Sequence, residues 1–265
     1  MQFKNLEDKC LYYRSLSDYK LLPNSYVIVM LDGRSFSSKI KKKFARPFDK
    51  CFTDMMDETA KYLLKNVQGC KFAYTQSDEI SLVLTDFDTP TTDAFFGNRL
   101  CKLQSVIASM ATAKFNNLMM QYELRTNIEG CQVIAEKIGL YEFDCKAWNV
   151  PTYNDVFAWL LYRQNDCIKN SKQQTAQTYL SHRELMGKNT DEQIKLLFET
   201  KGIDWNAFPD KWKYGRFIYK VERILTSPEG QEYTRYYPDV FAAYPLNEEK
   251  YRENFNSLNI IPKLI

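Results

Sequence analysis

Two short acidic stretches carry the residue types that phosphoryl chemistry needs. In Ser25-Tyr-Val-Ile-Val-Met-Leu-Asp-Gly-Arg-Ser-Phe36 an apolar, β-branched run stops at Asp32-Gly33. A buried strand ends this way when its last side chain faces a site rather than the core. In Lys71-Phe-Ala-Tyr-Thr-Gln-Ser-Asp-Glu-Ile-Ser-Leu-Val-Leu84, two short strand patterns meet at residues 76–79. A hairpin there lifts Asp78 and Glu79 to its tip. A hard cation such as Mg²⁺ is held by few carboxylates, keeps several waters and takes its other oxygens from substrate phosphates. A pair of aspartates suits two such ions, which clamp the attacking and leaving oxygens of an in-line displacement at phosphorus. Asp32 and Asp78 are the candidate shared ligands, and Gly33 lets its own carbonyl come close enough to join. Taken singly, Asp-Gly is a common turn signal and Ser-Asp-Glu a common solvated tip. Their shared placement at strand ends singles them out.

The elements that must position these residues can be read in order. Residues 5–22 form a rough apolar stripe ended by Pro23-Asn24, which predicts a helix. After the Asp32 strand, residues 35–40 suit a short helical turn whose N–H groups face an arriving triphosphate. A helix starts near Asp49, with Phe52, Met55, Met56, Ala60, Leu63 and Leu64 at helical spacing. A long helix is predicted from about residue 94 to 120, then a strand over residues 143–150 closed by Pro151. Strand, helix, hairpin, helix, strand is the order of a ferredoxin-like α+β unit, an antiparallel sheet with helices on one face. Residues 1–150 are therefore expected to form one domain that carries the acidic pair. Residues 151–265 are expected to be a mostly helical portion, with Thr152 and Asp155 as a helix cap, Gly202 as a helix stop, and a last hairpin around residues 227–230 that packs on the core.

The bulk numbers agree with a globular chain. At 265 residues, 45% of them hydrophobic, there is material for a sizeable core. A formal charge of +3 permits an anionic partner without demanding one. Local clustering is more informative, because Lys39, Lys41, Lys42, Lys43 and Arg46 follow the Asp32 strand and can meet phosphate. The 7 cysteines are scattered without a Cys-x-x-Cys pair, and there is 1 histidine, so neither a zinc cage nor a cysteine–histidine catalytic pair is supported. His182 lies in a polar helical stretch and reads as structural or solvent-facing rather than catalytic. Free thiols, a charged N-terminus and the lack of a long apolar run place the protein in the cytoplasm, an organelle remaining compatible, with no membrane partner.

The combination Leu31-Asp-Gly-Arg34, Phe44-Ala-Arg-Pro47 and Gln76-Ser-Asp-Glu79 resembles the tRNA-His guanylyltransferase family, which adds nucleotides to tRNA 5′ ends in the 3′-to-5′ direction. Phe143-Asp-Cys-Lys146 and Arg163-Gln-Asn-Asp-Cys167 resemble two further family motifs, Phe-Asp-Gly-Arg and Arg-Gln-x-Asp-Cys. The resemblance implies a fold like the palm of ordinary polymerases, two Mg²⁺ ions on Asp32, Asp78 and the Gly33 carbonyl, and a homotetramer. It implies nucleotide contacts from Asp32, Gly33, Arg34, Ser35, Phe36, Ser37, Ser77 and Asp78. It also implies catalytic roles for Asp32, Asp78, Glu79 and Arg46, the last standing where the family has a basic residue that acts in 5′-end activation. Lys146 replaces an arginine expected to touch phosphate and loses the bidentate fork. Lys41, Lys43, Lys146, Lys169 and Lys172 are the expected RNA or phosphate contacts.

One block departs from the family. Where its eukaryotic guanylyltransferases read His-Ile-Asn-Asn-Leu-Tyr-Asn-Thr, this chain reads Ile168-Lys-Asn-Ser-Lys-Gln-Gln-Thr175. It therefore resembles the guanylyltransferase-like branch, which fills in 5′-truncated tRNA against the opposite strand with ATP, GTP and other nucleoside triphosphates. Addition of a single G to tRNA-His is the alternative within the family. A nucleotide cyclase and a non-enzymatic tRNA-binding protein are the readings outside it. The intact acidic pair disfavours the binding protein, and Phe44-Ala-Arg-Pro47 with the polar second half disfavours the cyclase.

Overall fold

The structure is a computed structural model that describes residues 3–40, 43–126 and 139–263. Helix α1 (Leu6–Ser15) precedes β1 (Tyr26–Gly33), the short α2 (Phe36–Ile40) and α3 (Lys50–Asn66). The hairpin β2 (Cys70–Gln76) and β3 (Glu79–Leu84) follows, then α4 (Leu100–Thr126) and β4 (Phe143–Val150). The second half holds α5 (Tyr153–Tyr179), α6 (His182–Leu185), α7 (Thr190–Lys201), α8 (Asp210–Lys213), the hairpin β5 (Arg216–Thr226) and β6 (Glu232–Ala242), and α9 (Glu249–Ser257).

The six strands form one antiparallel sheet in the order β4-β1-β3-β2-β5-β6. Its first four strands have the ferredoxin-like arrangement expected from the order of elements. Alternation along β1 explains the two cores. Val27, Val29 and Leu31 point to one face, where Met56, Ala60, Leu63 and Leu64 of α3 and Leu103, Ile107 and Phe115 of α4 bury them. Tyr26 and Ile28 point to the other, where Val156, Phe157 and Leu160 of α5 pack. The helices of the first half thus share one face, and the second half covers the opposite one. Its last hairpin joins the sheet itself, because β5 pairs with β2 from Phe72↔Tyr219 to Thr75↔Arg216.

Several start and stop signals act as expected. Asp49 caps α3 by accepting from the Phe52 N–H at 2.9 Å. Thr152 and Asp155 make a reciprocal capping box at α5, and Gly202 ends α7 at φ +67°. Two predicted boundaries move. The helix expected over residues 5–22 stops at Ser15, where the hydroxyls of Ser15 and Ser17 bond back to the Tyr12 and Arg14 carbonyls and compete with the helical pattern. None of the α1 residues is buried, so no packing extends it. The long helix expected from about residue 94 begins at Leu100, because Phe96, Gly97 and Asn98 all have positive φ. Among the described residues, no helix is long and apolar enough to cross a membrane.

Candidate functional site

The end of β1 is where the acidic residues meet. Asp32 lies in register with Glu79 of β3 on one side and with Asp144 of β4 on the other. The Gly33 N–H donates to the Asp78 carbonyl at 3.1 Å and ties the β2–β3 turn to the end of β1. Ser77 takes φ +47° in that turn, and its hydroxyl donates to Oδ1 of Asp78 at 2.9 Å. Gly33 is also fixed by space, since a Cβ there would lie 2.6 Å from the ring of Phe36.

Charge is under-compensated at this point. Burial holds the Asp32 carboxyl above the usual aspartate value of 3.8; the Asp144 charge adds to this, while the Gly33 N–H, Arg163 and Lys146 oppose it. Burial also raises Asp78, with the Asp32 charge adding a smaller push against the Ser77 hydrogen bond. Two neighbouring carboxylates whose charge Arg163 and Lys146 only partly offset fit a hard divalent cation. Among the described residues, no group of three or more His, Cys, Asp or Glu side chains is placed to hold a metal ion by itself. An open set of two carboxylates and a carbonyl leaves coordination positions for water and phosphate.

Glu79 is placed differently from the two aspartates. Arg163 of α5 grips its carboxylate through Nε at 3.0 Å and Nη2 at 2.7 Å, and Nη2 also reaches Asp166 at 2.9 Å. Burial raises the Glu79 carboxyl and the Arg163 charge pulls it back. The ring of Tyr162 lies 5.1 Å from the guanidinium and that of Trp159 5.7 Å. The structure therefore presents Glu79 as the joint between the sheet and the C-terminal helix, with Asp32 and Asp78 half-buried beside it and without such a clamp.

The remaining expected residues spread around this centre. Arg34 and Ser37 are exposed, Ser35 takes φ +58° in the turn, and Phe36 puts its ring in the core against Phe115, Tyr141 and Phe143. Lys43 is bound to Glu123 at 2.6 Å, and Lys172 to Asp191 at 2.6 Å with its ammonium 5.0 Å from the Trp205 ring. Lys146, two residues from Asp144 on β4, and Lys169 on α5 are exposed. Lys41 lies outside the described residues. Arg46 sits on the wall of a cleft beside the β2–β3 turn, with an empty volume of ≈ 730 Å³ including its open mouth. Asp49, Gln76, Ser77, Asn170, Gln174 and Arg216 are among its other polar lining residues.

Sequence reasoning did not single out Asp144, or Arg163 as the partner of Glu79. Asp144 carries no motif of its own and gains meaning only from strand pairing. Arg163 stood inside a recognisable helix motif, but its partner is 84 residues away in the chain.

The family profile for tRNA-His guanylyltransferase (Thg1) matches residues 9–151, more than half of the chain and all of strands β1 to β4. The chain belongs to the tRNA-His guanylyltransferase family. Members of this family are nucleotidyltransferases, and the protein is an enzyme of that class. A solved bacterial Thg1-like protein in complex with ATP is 32% identical, with a TM-score of 0.79 over 95% of this chain and 98% of that one. A complex with GTP gives 32% and a TM-score of 0.75 over 95% and 97%. Among the sequences, the tRNA(His) guanylyltransferase of Neurospora crassa is 29% identical over 77% of this chain and 70% of its own length. That of Saccharomyces cerevisiae is 27% identical over 77% and 86%.

Proposed function

We propose that the protein adds nucleotides in the 3′-to-5′ direction to the 5′ end of truncated tRNA, with the opposite strand as template and nucleoside triphosphates as donors. The observation that carries this reading is the convergence of Asp32 and Asp78 through the Gly33–Asp78 backbone bond. That arrangement suits two phosphoryl transfers in sequence. An oxygen of the RNA 5′ monophosphate attacks the α-phosphate of ATP, the bond to pyrophosphate breaks, and an adenylylated 5′ end results. The 3′ hydroxyl of the incoming nucleotide then attacks the activated 5′ phosphate, loses its proton to solvent, and displaces AMP. A 5′ triphosphate makes the first transfer unnecessary and loses pyrophosphate in the second.

Asp32, Asp78 and the Gly33 carbonyl are the residues that would hold two Mg²⁺ ions. When bound, the ions supply Lewis-acid stabilisation of the attacking and leaving oxygens. Arg34 to Ser37 and Ser77 border the space for the nucleotide, Phe36 through its backbone. Glu79, clamped by Arg163, keeps the hairpin tip in place, and Arg46 faces the cleft where a 5′ end or triphosphate would lie. Lys146 and Lys169 are free on the surface to meet RNA phosphates, which position without reading sequence. Template pairing then chooses the nucleotide.

The choice of repair over single-G addition is supported by the block at residues 168–175. Ser171 and Thr175 are buried there, and Ser171 Oγ accepts from the Trp205 indole at 3.2 Å, so part of this stretch is committed to packing α5. Residues 1–150 form the catalytic palm in this reading and residues 151–265 the appended portion, supported by the profile match ending at residue 151. Assembly as a homotetramer is taken over from the family resemblance, and a cytoplasmic site from the thiols and the charged N-terminus; the exposed Leu6 and Leu11 of α1, with Leu16 just beyond it, are in keeping with further assembly.

The test supplies purified protein with Mg²⁺, ATP and all four nucleoside triphosphates, and sizes the 5′ ends of a truncated tRNA and of a full-length tRNA-His. Extension of the truncated tRNA to full length is expected. One G added to tRNA-His alone contradicts the repair reading, and no addition to either contradicts nucleotide transfer.

A further inference from the structure

The cleft beside Ser77 contains a charged group that the acidic centre does not use. Arg216 opens β5, in register with Thr75, and is 4% exposed. Its Nε donates to Oδ1 of Asp57 on α3 at 2.7 Å. Its Nη2 is buried and meets no acceptor. The ion pair thus fixes the guanidinium plane and leaves one arm of the fork unsatisfied at the wall of the cleft. A buried donor without a partner is costly in the free protein, and an acceptor arriving from the cleft removes that cost.

The other lining residues say which acceptor fits. Arg46 brings a second guanidinium and Gln174 an amide to the same wall, while the Ser77 hydroxyl and the Asn170 amide already donate to Asp78 and Asp166. Asp49 is the acidic residue among the described lining, and both its oxygens are already taken, Oδ1 by the Phe52 N–H and Oδ2 by the Ala45 N–H, each at 2.9 Å. Two guanidinium groups, Arg46 and Arg216, against one carboxylate whose oxygens are already engaged favour an anion. The Gln76 amide lies beside Glu79 and helps hold its carboxyl down, yet its Nε2 makes no hydrogen bond of good geometry, so a second buried donor borders the same space.

We propose that Arg216, oriented by Asp57, is a phosphate-binding residue of this cleft and takes a phosphoryl oxygen on its free Nη2. The residue lies outside the segment matched by the family profile, residues 9–151. The proposal deepens the nucleotide-addition reading, which supplies the two sources of such a phosphate: the polyphosphate of a nucleoside triphosphate or the 5′ monophosphate of RNA. Lysine in place of Arg216 keeps the charge beside Asp57 but loses the planar fork, so the second arm disappears without stranding the buried acid.

The experiment compares wild type with Arg216→Lys and with the paired Asp57→Asn/Arg216→Gln, both checked for folding by circular dichroism. Binding of ATP, tripolyphosphate and adenosine is measured by calorimetry without RNA, and binding of 5′-monophosphorylated and 5′-hydroxyl tRNA by filter retention. If the nucleotide supplies the phosphate, Kd for ATP and tripolyphosphate rises about tenfold or more in both variants while adenosine is unaffected. If RNA supplies it, ATP binding holds and the preference for 5′-monophosphorylated over 5′-hydroxyl tRNA is lost. Either result supports the phosphate site. Folded variants that bind every one of these ligands as wild type does overturn it. Because binding is read without turnover, failure of the 3′-to-5′ reading is visible separately, as wild-type protein that binds but does not extend.

Discussion

Asp32 and Glu79 are register partners across β1 and β3, yet their carboxylates have different fates. Glu79 is gripped by Arg163 from the helix above, while Asp32 is left next to Asp78 and Asp144 with its charge only partly balanced. Strand pairing brings the acids together, and one arginine from the second half decides which of them stay available to a cation.

Asp32→Asn and Asp78→Asn are each expected to lower nucleotide addition by roughly 10²–10³-fold or more while the protein remains folded. The sign of the stability change follows from the raised carboxyls. Both groups keep their protons to higher pH in the folded protein than in the unfolded chain. Their favourable contribution is present below the unfolded value and lost as pH rises through the folded one. Without metal at neutral pH, the Asn variants should therefore melt at or above the wild-type temperature. Mg²⁺ should raise the melting temperature of wild type and not of the variants. Variants that melt lower and still respond to Mg²⁺ refute the assignment.

Arg163→Met strands Glu79, whose side chain is 17% exposed, without its counter-charge. A loss of about 3–5 kcal/mol in denaturant unfolding is expected. Adding Glu79→Gln to that variant should recover part of the loss, because the stranded charge is gone. A double variant no more stable than Arg163→Met shows that the pair is not coupled.

Gly33→Ala drives a methyl group to within 2.6 Å of the Phe36 ring, which is itself packed against Phe115, Tyr141 and Phe143. Overpacking of this kind costs about 1–3 kcal/mol. Phe36→Leu in the same chain makes room and should restore part of the stability, read by thermal melting. Equal stability of Gly33→Ala and wild type means that the ring yields freely.

Thiol reactivity should sort by burial. The thiols of Cys70, Cys145 and Cys167 are pushed up to about 12 by burial, so at pH 8 they stay protonated and unreactive. Cys10, Cys51 and Cys101 are exposed. With Cys131, which lies outside the described residues, replaced by serine, iodoacetamide at pH 8 should label these three and spare Cys70, Cys145 and Cys167, as mapped by mass spectrometry. Prompt labelling of Cys145 contradicts its packing in β4.

The two exposed lysines and the paired ones should differ toward RNA. Lys169→Ala is expected to weaken tRNA binding similarly for all tRNAs and to reduce the salt slope by about one. Lys172, already held by Asp191, should change the slope less. Equal slopes for Lys169→Ala and wild type exclude Lys169 as a phosphate contact.

Much of this arrangement is legible along the chain, for reasons of locality. The β1 run, the Asp49 cap, the Thr152–Asp155 box and the Gly202 stop are set by neighbours within four residues, and each appears where its pattern predicts. What stays hidden is non-local. Nothing near Arg163 names Glu79, nothing near Arg216 names Asp57, and the pairing of Asp32 with Asp144 depends on which strand takes the sheet edge. The end of α1 is missed for the opposite reason: two serine hydroxyls and a lack of packing override an apolar stripe. Lys43 and Lys172 show that a basic run marks charge, not its availability.

The central claim is that the acidic pair at the end of β1 adds nucleotides under the direction of the opposite strand. It is tested most directly with 5′-truncated tRNAs whose unpaired position opposite the missing nucleotide is varied through all four bases. Wild-type protein with Mg²⁺ and all four triphosphates should add the complement in each case, and Asp78→Asn should add nothing. Addition of G whatever the opposite base, or undiminished addition by Asp78→Asn, contradicts the account.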